Sequence, residues 1–410
     1  MRKAAAAALP LFDEPNEGDI LTLIRDFEGE GQPTREFEEH GIPYLVNEFW
    51  TSRQRQAHSI HEVSYRACFK GQLPAFFIDR LTLPGDAVYD PFMGRGTTPI
   101  QSALMGRKPL GNDINPLSVL LARPRLNVPS VTQVAARLKE IPWDGGEEGP
   151  SELLAFYHPS TLKQLMALKG WLADRAPLSN STPDPVDDWI RMVAINRLSG
   201  HSSGFFSGRS MPPNQAVSLK AQLRINEKLG VSPPERDVAA IIFKKTRTLL
   251  SDGHPAPHPP GHLFVGEADA TPGIANGSVS LVVTSPPFLD IVQYAADNWL
   301  RCWFAGIDVG AVPIAMHRDE EAWTNMVRGV LTEQARILQS GGHVAFEVGE
   351  VRKGKVLLER LVWKAAEGLP FDRLAVMIND QEFTKTANCW GVSNNSGGTN
   401  TNRIVLLQRH

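Results

Sequence analysis

The chain has 410 residues, of which 42% are hydrophobic and 21% charged, with a formal net charge of −3 and three cysteines. Such a length supplies core for two or three globular domains, and no apolar run approaches the roughly 20 residues of a membrane span. Cys68, Cys302 and Cys389 lie too far apart for a disulfide framework or a zinc ribbon, so a reducing cytoplasm is the expected compartment.

The small net charge hides an asymmetry. Residues 11–40 carry a net −8, whereas residues 191–250 hold ten Lys or Arg against Glu227, Glu235 and Asp237, a net +7. A basic block inside an acidic chain is the footprint that a phosphate backbone requires, although a solvated set of helix faces gives the same count. Residues 1–45, with an alanine run, Pro10, Pro15 and Gly18, show little core-forming pattern and read as a flexible acidic arm with one short helix near 20–27. The run of alanines at 4–8 is too weakly hydrophobic for a secretory signal. Within the arm, Ala8-Leu9-Pro10-Leu11-Phe12 resembles the short peptides that dock on bacterial sliding clamps, with Leu9, Leu11 and Phe12 as the apolar anchors.

An amphipathic helix over 75–81 precedes Pro84-Gly85-Asp86 and the first strand of the main fold. That strand runs into Asp90-Pro91-Phe92-Met93-Gly94-Arg95-Gly96-Thr97-Thr98, a strand, glycine turn and helix. Gly94 and Gly96 allow close backbone approach to a ligand, and the helix from Thr97 offers its first amides to an anionic group. A second strand ends in Asp113-Ile114, an acid placed where dinucleotide folds hold ribose hydroxyls. The stretch 144–150 reads as a linker. Beyond it, helical periodicity over 161–172, 187–198, 219–229 and 235–250 predicts a mostly helical insert spanning 145–262, with Ser232-Pro233-Pro234-Glu235 as a capping box for its last helix. His254, His258 and His262 recur every fourth residue, but the intervening prolines preclude the helix that would align them on a metal.

After the insert come strands at 263–265 and 279–283, the latter ending in Ser285-Pro286-Pro287-Phe288. Two prolines remove two N–H donors and fix the backbone, so the carbonyls of Ser285 and Pro286 are free to accept. With the Ser285 hydroxyl and the flat face of Phe288, this turn suits a planar heterocycle bearing an amino group. A helix near 294–304, a fifth strand at 342–348, and an antiparallel hairpin of 373–378 with 403–407 complete seven strands, a doubly wound α/β sheet. The polar span 384–402 is too long for an idle hairpin loop.

Asp-Pro-Phe-x-Gly-x-Gly-Thr-Thr at 90–98, followed by Thr-Ser-Pro-Pro-Phe at 284–288, resembles the S-adenosylmethionine-dependent DNA amino-methyltransferases, in particular their N4-cytosine branch. The resemblance covers roughly 55–125 and 263–410. It implies a Rossmann-like catalytic domain formed by 46–144 and 263–410, S-adenosylmethionine as cofactor with no metal, and duplex DNA as partner. On that reading Asp90, Pro91, Phe92, Gly94, Gly96, Thr97, Asp113 and Ile114 surround the cofactor. Glu267 or Asp269 accepts from its adenine, Lys70 or Phe69 touches its methionine end, and Ser285, Pro286, Pro287 and Phe288 hold the target base. The insert then becomes the target-recognition domain, in which Arg191, Arg197, Phe205 and Arg209 on and after one helix contact DNA. An N6-adenine enzyme would use the same fold, and an RNA or protein amino-methyltransferase or an inactive DNA-binding relative are further alternatives.

Overall fold

Near-continuous apolar runs in this chain become strands buried on both faces. In the computed structural model, which describes residues 19–29, 31–50, 57–65, 68–210, 216–289, 294–313, 317–352, 354–380 and 401–410, the central element among them is a nine-stranded sheet. Its strands in chain order are β1 (Arg35–Glu39), β2 (Ile42–Asn47), β3 (Ala87–Asp90), β4 (Lys108–Asp113), β5 (His262–Val265), β6 (Val279–Thr284), β7 (Leu338–Val348), β8 (Phe371–Asp380) and β9 (Thr401–Arg409). The spatial order is β1-β2-β8-β9-β7-β6-β3-β4-β5. Strands β5, β4, β3, β6 and β7 are mutually parallel, and β9 runs antiparallel between β7 and β8. All six residues of β6 and all four of β3 are buried, as a parallel sheet covered by helices demands.

The seven expected strands are therefore present, and two more extend the sheet. Within the 1–45 stretch read from sequence as a flexible arm, the short helix expected near 20–27 is present as α1 (Ile20–Arg25), but residues 35–47 form the β1–β2 hairpin, whose second strand pairs in parallel with β8. Strand β1 is exposed along its whole length, so it carries no apolar periodicity to betray it, while β2 buries Ile42, Tyr44, Leu45 and Val46. Charged side chains on a terminal strand are a common protection against edge-to-edge pairing. The proposed clamp-binding residues Leu9, Leu11 and Phe12 lie outside the described residues.

The helices flanking the sheet are α2 (Gln72–Leu81), α3 (Thr97–Leu104), α4 (Pro116–Ala122), α5 (Val131–Glu140), α10 (Tyr294–Ala305), α11 (Glu320–Ile337) and α12 (Leu358–Ala365). The insert contributes α6 (Pro159–Arg175), α7 (Pro185–Ile195), α8 (Leu219–Leu229) and α9 (Val238–Leu249). Its helices share one hydrophobic cluster with α4, α5 and α10, centred on fully buried Trp189. Buried carboxylates weld the seam further: Asp188 accepts both Nε and Nη2 of Arg123 at 2.7 and 2.8 Å, and Asp187 accepts from Arg137 and Arg175. The insert thus holds a fixed attitude to the sheet. The expected capping box at 232–235 does not form. Asp237 caps α9 by accepting from the Ala240 amide, and Glu235 instead accepts from the Ser160 hydroxyl at 2.6 Å.

Candidate active site

Strand order reverses between β3 and β6, since the chain continues from β3 to β4 on one side and from β6 to β7 on the other. Open α/β sheets bind ligands outside the carboxyl ends of strands at such a point. Here the two sequence motifs meet there. A cleft of about 1020 Å³, its open mouth included, is walled by Asp90–Gly94 after β3, Asp113–Asn115 after β4, Gly266–Asp269 after β5, Ser285 and Pro287 after β6, Met326 and Val330 of α11, and Tyr65 and Phe69.

Each wall is held by specific bonds. Gly94 adopts φ +51°, and its amide donates at 2.8 Å to the Asp113 carboxylate, whose other oxygen accepts from the Asn115 amide at 2.9 Å. Asp113 therefore fixes the glycine turn as well as facing the cavity. Burial raises its pKa, and the Asn115 and Gly94 amides oppose that rise. Buried Arg125 donates to the carbonyls of Leu121, Ile60 and Arg95 and so clamps the turn from behind. Gly96 does not line the cleft. It sits at φ +80°, where an added Cβ would lie 2.6 Å from the Cβ of Ala122, so its service is to let α3 and α4 pack. Thr97 opens α3 and lines the cavity.

Asp90 is 1% exposed, accepts from the Thr284 hydroxyl at 2.6 Å and from the Phe92 amide at 3.0 Å, and is pushed up to about 7 by burial. It couples the end of β3 to the residue before Ser285. Glu267 and Asp269 both stand exposed on the cavity wall. Phe69 lines the wall, whereas Lys70 is exposed and outside it.

The Ser-Pro-Pro-Phe turn is anchored by Trp323 of α11, whose indole N–H donates to the Pro287 carbonyl at 2.8 Å. Among the described residues none donates to the Ser285 or Pro286 carbonyl. Pro286 is buried, and Phe288 packs half-buried against the sheet's core. One residue that sequence reading left inside a strand belongs to this site. The parallel register Val283↔Ala345 and Thr284↔Phe346 continues to place Ser285 beside Glu347. The Glu347 carboxylate accepts from Asn402 Nδ2 at 2.8 Å, and the Ser285 hydroxyl lies beside it. Glu347 is 7% exposed, and burial raises its pKa to about 7 against the opposing hydrogen bonds of Ser285 and Asn402. An acid closing an otherwise apolar parallel strand beside β6 was the available signal.

The four residues expected to face DNA separate. Arg191 is 4% exposed, and its guanidinium donates to the carbonyls of Leu172 and Ala176 at the end of α6. It is a buried helix clamp, not a phosphate ligand, because α7 is buried on every side from Val186 to Ile195. Phe205 is buried beneath Arg197, whose guanidinium lies 4.1 Å from the ring centroid. Arg209 is exposed. Among the described residues no group of three or more His, Cys, Asp or Glu converges as a metal site, and no helix is long and apolar enough to cross a membrane.

Residues 28–123 match the family model described as DNA methylase. Over 74 residues, 18% of this chain, the sequence is 40% identical to the Type II methyltransferase M.MjaII of Methanocaldococcus jannaschii, and it spans only 14% of that relative's length. Solved structures that resemble it include TrmN from Thermus thermophilus, at 10% identity and a TM-score of 0.32 over 84% of this chain and 50% of that one. Another is the rRNA methyltransferase aviRa from Streptomyces viridochromogenes, at 12% identity and a TM-score of 0.33 over 86% and 90%. The matched family segment is the one that builds β1 to α4, including the glycine turn and Asp113.

Proposed function

We propose that the chain is a DNA methyltransferase that transfers a methyl group from S-adenosylmethionine to the N4 amino group of a cytosine turned out of the duplex. The observation that carries this reading is Ser285 at the carboxyl end of β6, lining the cavity with the buried Glu347 carboxylate beside it to take its proton. A hydroxyl that donates inward presents its lone pairs outward, toward an amino group. The uncommitted Pro286 carbonyl supplies a second acceptor. Accepting both hydrogens of the amine favours the pyramidal nitrogen whose lone pair is available for attack.

S-adenosylmethionine supplies an electrophilic methyl group with a good leaving group attached. The chain's task is then alignment and disposal of one proton. Asp113 and the Gly94 turn hold the cofactor's position, with Glu267 and Asp269 at the adenine end and Phe69 and Tyr65 above. As the amine gains the methyl group it becomes cationic. Its N–H passes to the Ser285 oxygen while the Ser285 proton passes to Glu347, so a carboxylate becomes a carboxylic acid and the product amine leaves neutral. A carboxyl titrating near 7 accepts and returns such a proton at neutral pH. The cost of extruding a paired base, a few kcal/mol, is offset by phosphate contacts and by stacking in the cleft.

The test is methyl transfer from labelled S-adenosylmethionine to duplex DNA by wild type and Ser285→Ala. The reading expects turnover to fall about 100-fold or more in the variant, the range of a lost acid–base group, with cofactor affinity kept. Equal loss of cofactor binding and turnover would remove Ser285 from the chemistry.

A further inference from the structure

Beside the active-site cleft, and sharing Tyr65 as a wall, a second cleft opens where the insert meets the sheet domain. It is lined by Glu62, Val63, Arg95, Arg197 and Lys245. Its charge is unbalanced. Glu62 is the one carboxylate among these residues, and it bonds Lys245 at 3.3 Å. Arg95 donates to the Thr97 hydroxyl and to the carbonyls of Val63 and Phe69, and Arg197 donates to the Asn196 carbonyl. Arg125, directly behind, likewise reaches only carbonyls. Among the described residues, none of these three arginines has a carboxylate within ion-pair distance. Glu62 is the one carboxylate among the described residues that faces both Arg197 and Lys245, so the fixed cations outnumber it; such an excess of buried positive charge is costly, and its cost falls when an anion arrives from outside.

Their titration agrees with that picture. Burial and the field of Arg301 lower Arg197 to about 10, burial and Arg197 lower Lys245, and burial with Arg125 and Arg95 drives His61 down to about 3. The space, about 580 Å³ with its mouth, opens to solvent, so a nucleic-acid strand can reach it.

We propose that this cleft holds the backbone phosphate flanking the extruded base, so that the insert and the catalytic domain jointly grip the substrate strand beside the site of methyl transfer. The proposal rests on the DNA reading above. It also places the useful part of the basic insert at its seam, on Arg197 and Lys245, where the backbone turns away from the duplex into the Ser285 cleft.

The experiment measures KM for duplex DNA, across salt concentrations, for wild type, Lys245→Gln, Glu62→Gln and the control Lys364→Gln, an exposed residue on α12. Affinity for S-adenosylmethionine is measured in parallel. Lys245→Gln is expected to raise KM about fivefold and to reduce the slope of log KM against log salt by about 0.9, the loss of one phosphate contact. Glu62→Gln, which removes the opposing charge, is expected to lower KM and steepen that slope. A methylphosphonate beside the target base should weaken wild type and have no further effect on Lys245→Gln. Unchanged KM and slope in both cleft variants of an active enzyme would overturn the phosphate site alone. Weakened cofactor binding in Lys245→Gln would reassign the cleft to the cofactor's carboxylate, and a wild type that methylates no DNA would overturn the function and the cleft together.

Discussion

Replacing Glu347 by Gln separates the two consequences of burying a carboxyl at the centre of a catalytic sheet. In the folded chain Glu347 titrates near 7 rather than 4.5 because burial disfavours its charge. At 1.36 kcal/mol per tenfold change in proton affinity, that corresponds to about 3 kcal/mol. The folded state holds the proton more tightly than the unfolded chain, so stability is greatest below the unfolded value and declines as pH rises from about 4.5 through 7. Gln is neutral and of the same shape. Thermal or urea unfolding without ligands should find Glu347→Gln equal to wild type near pH 4.5 and more stable by up to about 3 kcal/mol at pH 8. Activity should move the other way. Asn402 occupies Oε1, so the new amide NH2 faces Ser285, donates to its oxygen and turns its O–H toward the substrate amine. Donor then opposes donor, and kcat is expected to fall on the order of 100-fold, without the rising limb near pH 7 that is expected of the wild type. A variant less stable than wild type at pH 8, or one with wild-type kcat and pH profile, would refute the reasoning.

Other substitutions read other links. Asp113→Ala removes the acceptor of the Gly94 and Asn115 amides and is expected to weaken S-adenosylmethionine binding by about 2 kcal/mol in a titration, the scale of a charge-assisted hydrogen bond, with Ser285 chemistry at saturating cofactor retained. Arg191→Gln removes the guanidinium bonds to the Leu172 and Ala176 carbonyls, leaving Leu172 only its bond from the Ala176 amide, and should cost about 1–3 kcal/mol of folding stability, while the salt dependence of DNA binding stays as in wild type. Gly96→Ala forces a Cβ into Ala122 from a left-handed backbone and should destabilise by about 2–4 kcal/mol in the same unfolding assay.

Local chemistry was readable in the sequence wherever a few adjacent residues determine both geometry and function. The Asp90–Thr98 turn and the Ser-Pro-Pro-Phe turn are of this kind, since prolines and glycines fix backbone shape without reference to the rest of the chain. Glu347 and Asn402 were not readable as site residues, because only the register between β6, β7 and β9 brings them to Ser285. Charge counts over 191–250 locate a basic region but carry no sign that α7 is buried all round, which takes Arg191 out of solvent and leaves Lys245 at the seam. The β1–β2 hairpin hid for the opposite reason. Its outer strand is wholly exposed, and an acidic edge strand has the composition of a disordered arm.

The most direct measurement is incubation of the protein with labelled S-adenosylmethionine and mixed-sequence duplex DNA, digestion to nucleosides, and mass spectrometry of the labelled product. The account predicts label in N4-methylcytosine, lost in Ser285→Ala. Label in N6-methyladenine would contradict the base assignment, and unlabelled DNA from a protein that binds the cofactor would contradict the claim that DNA is the substrate.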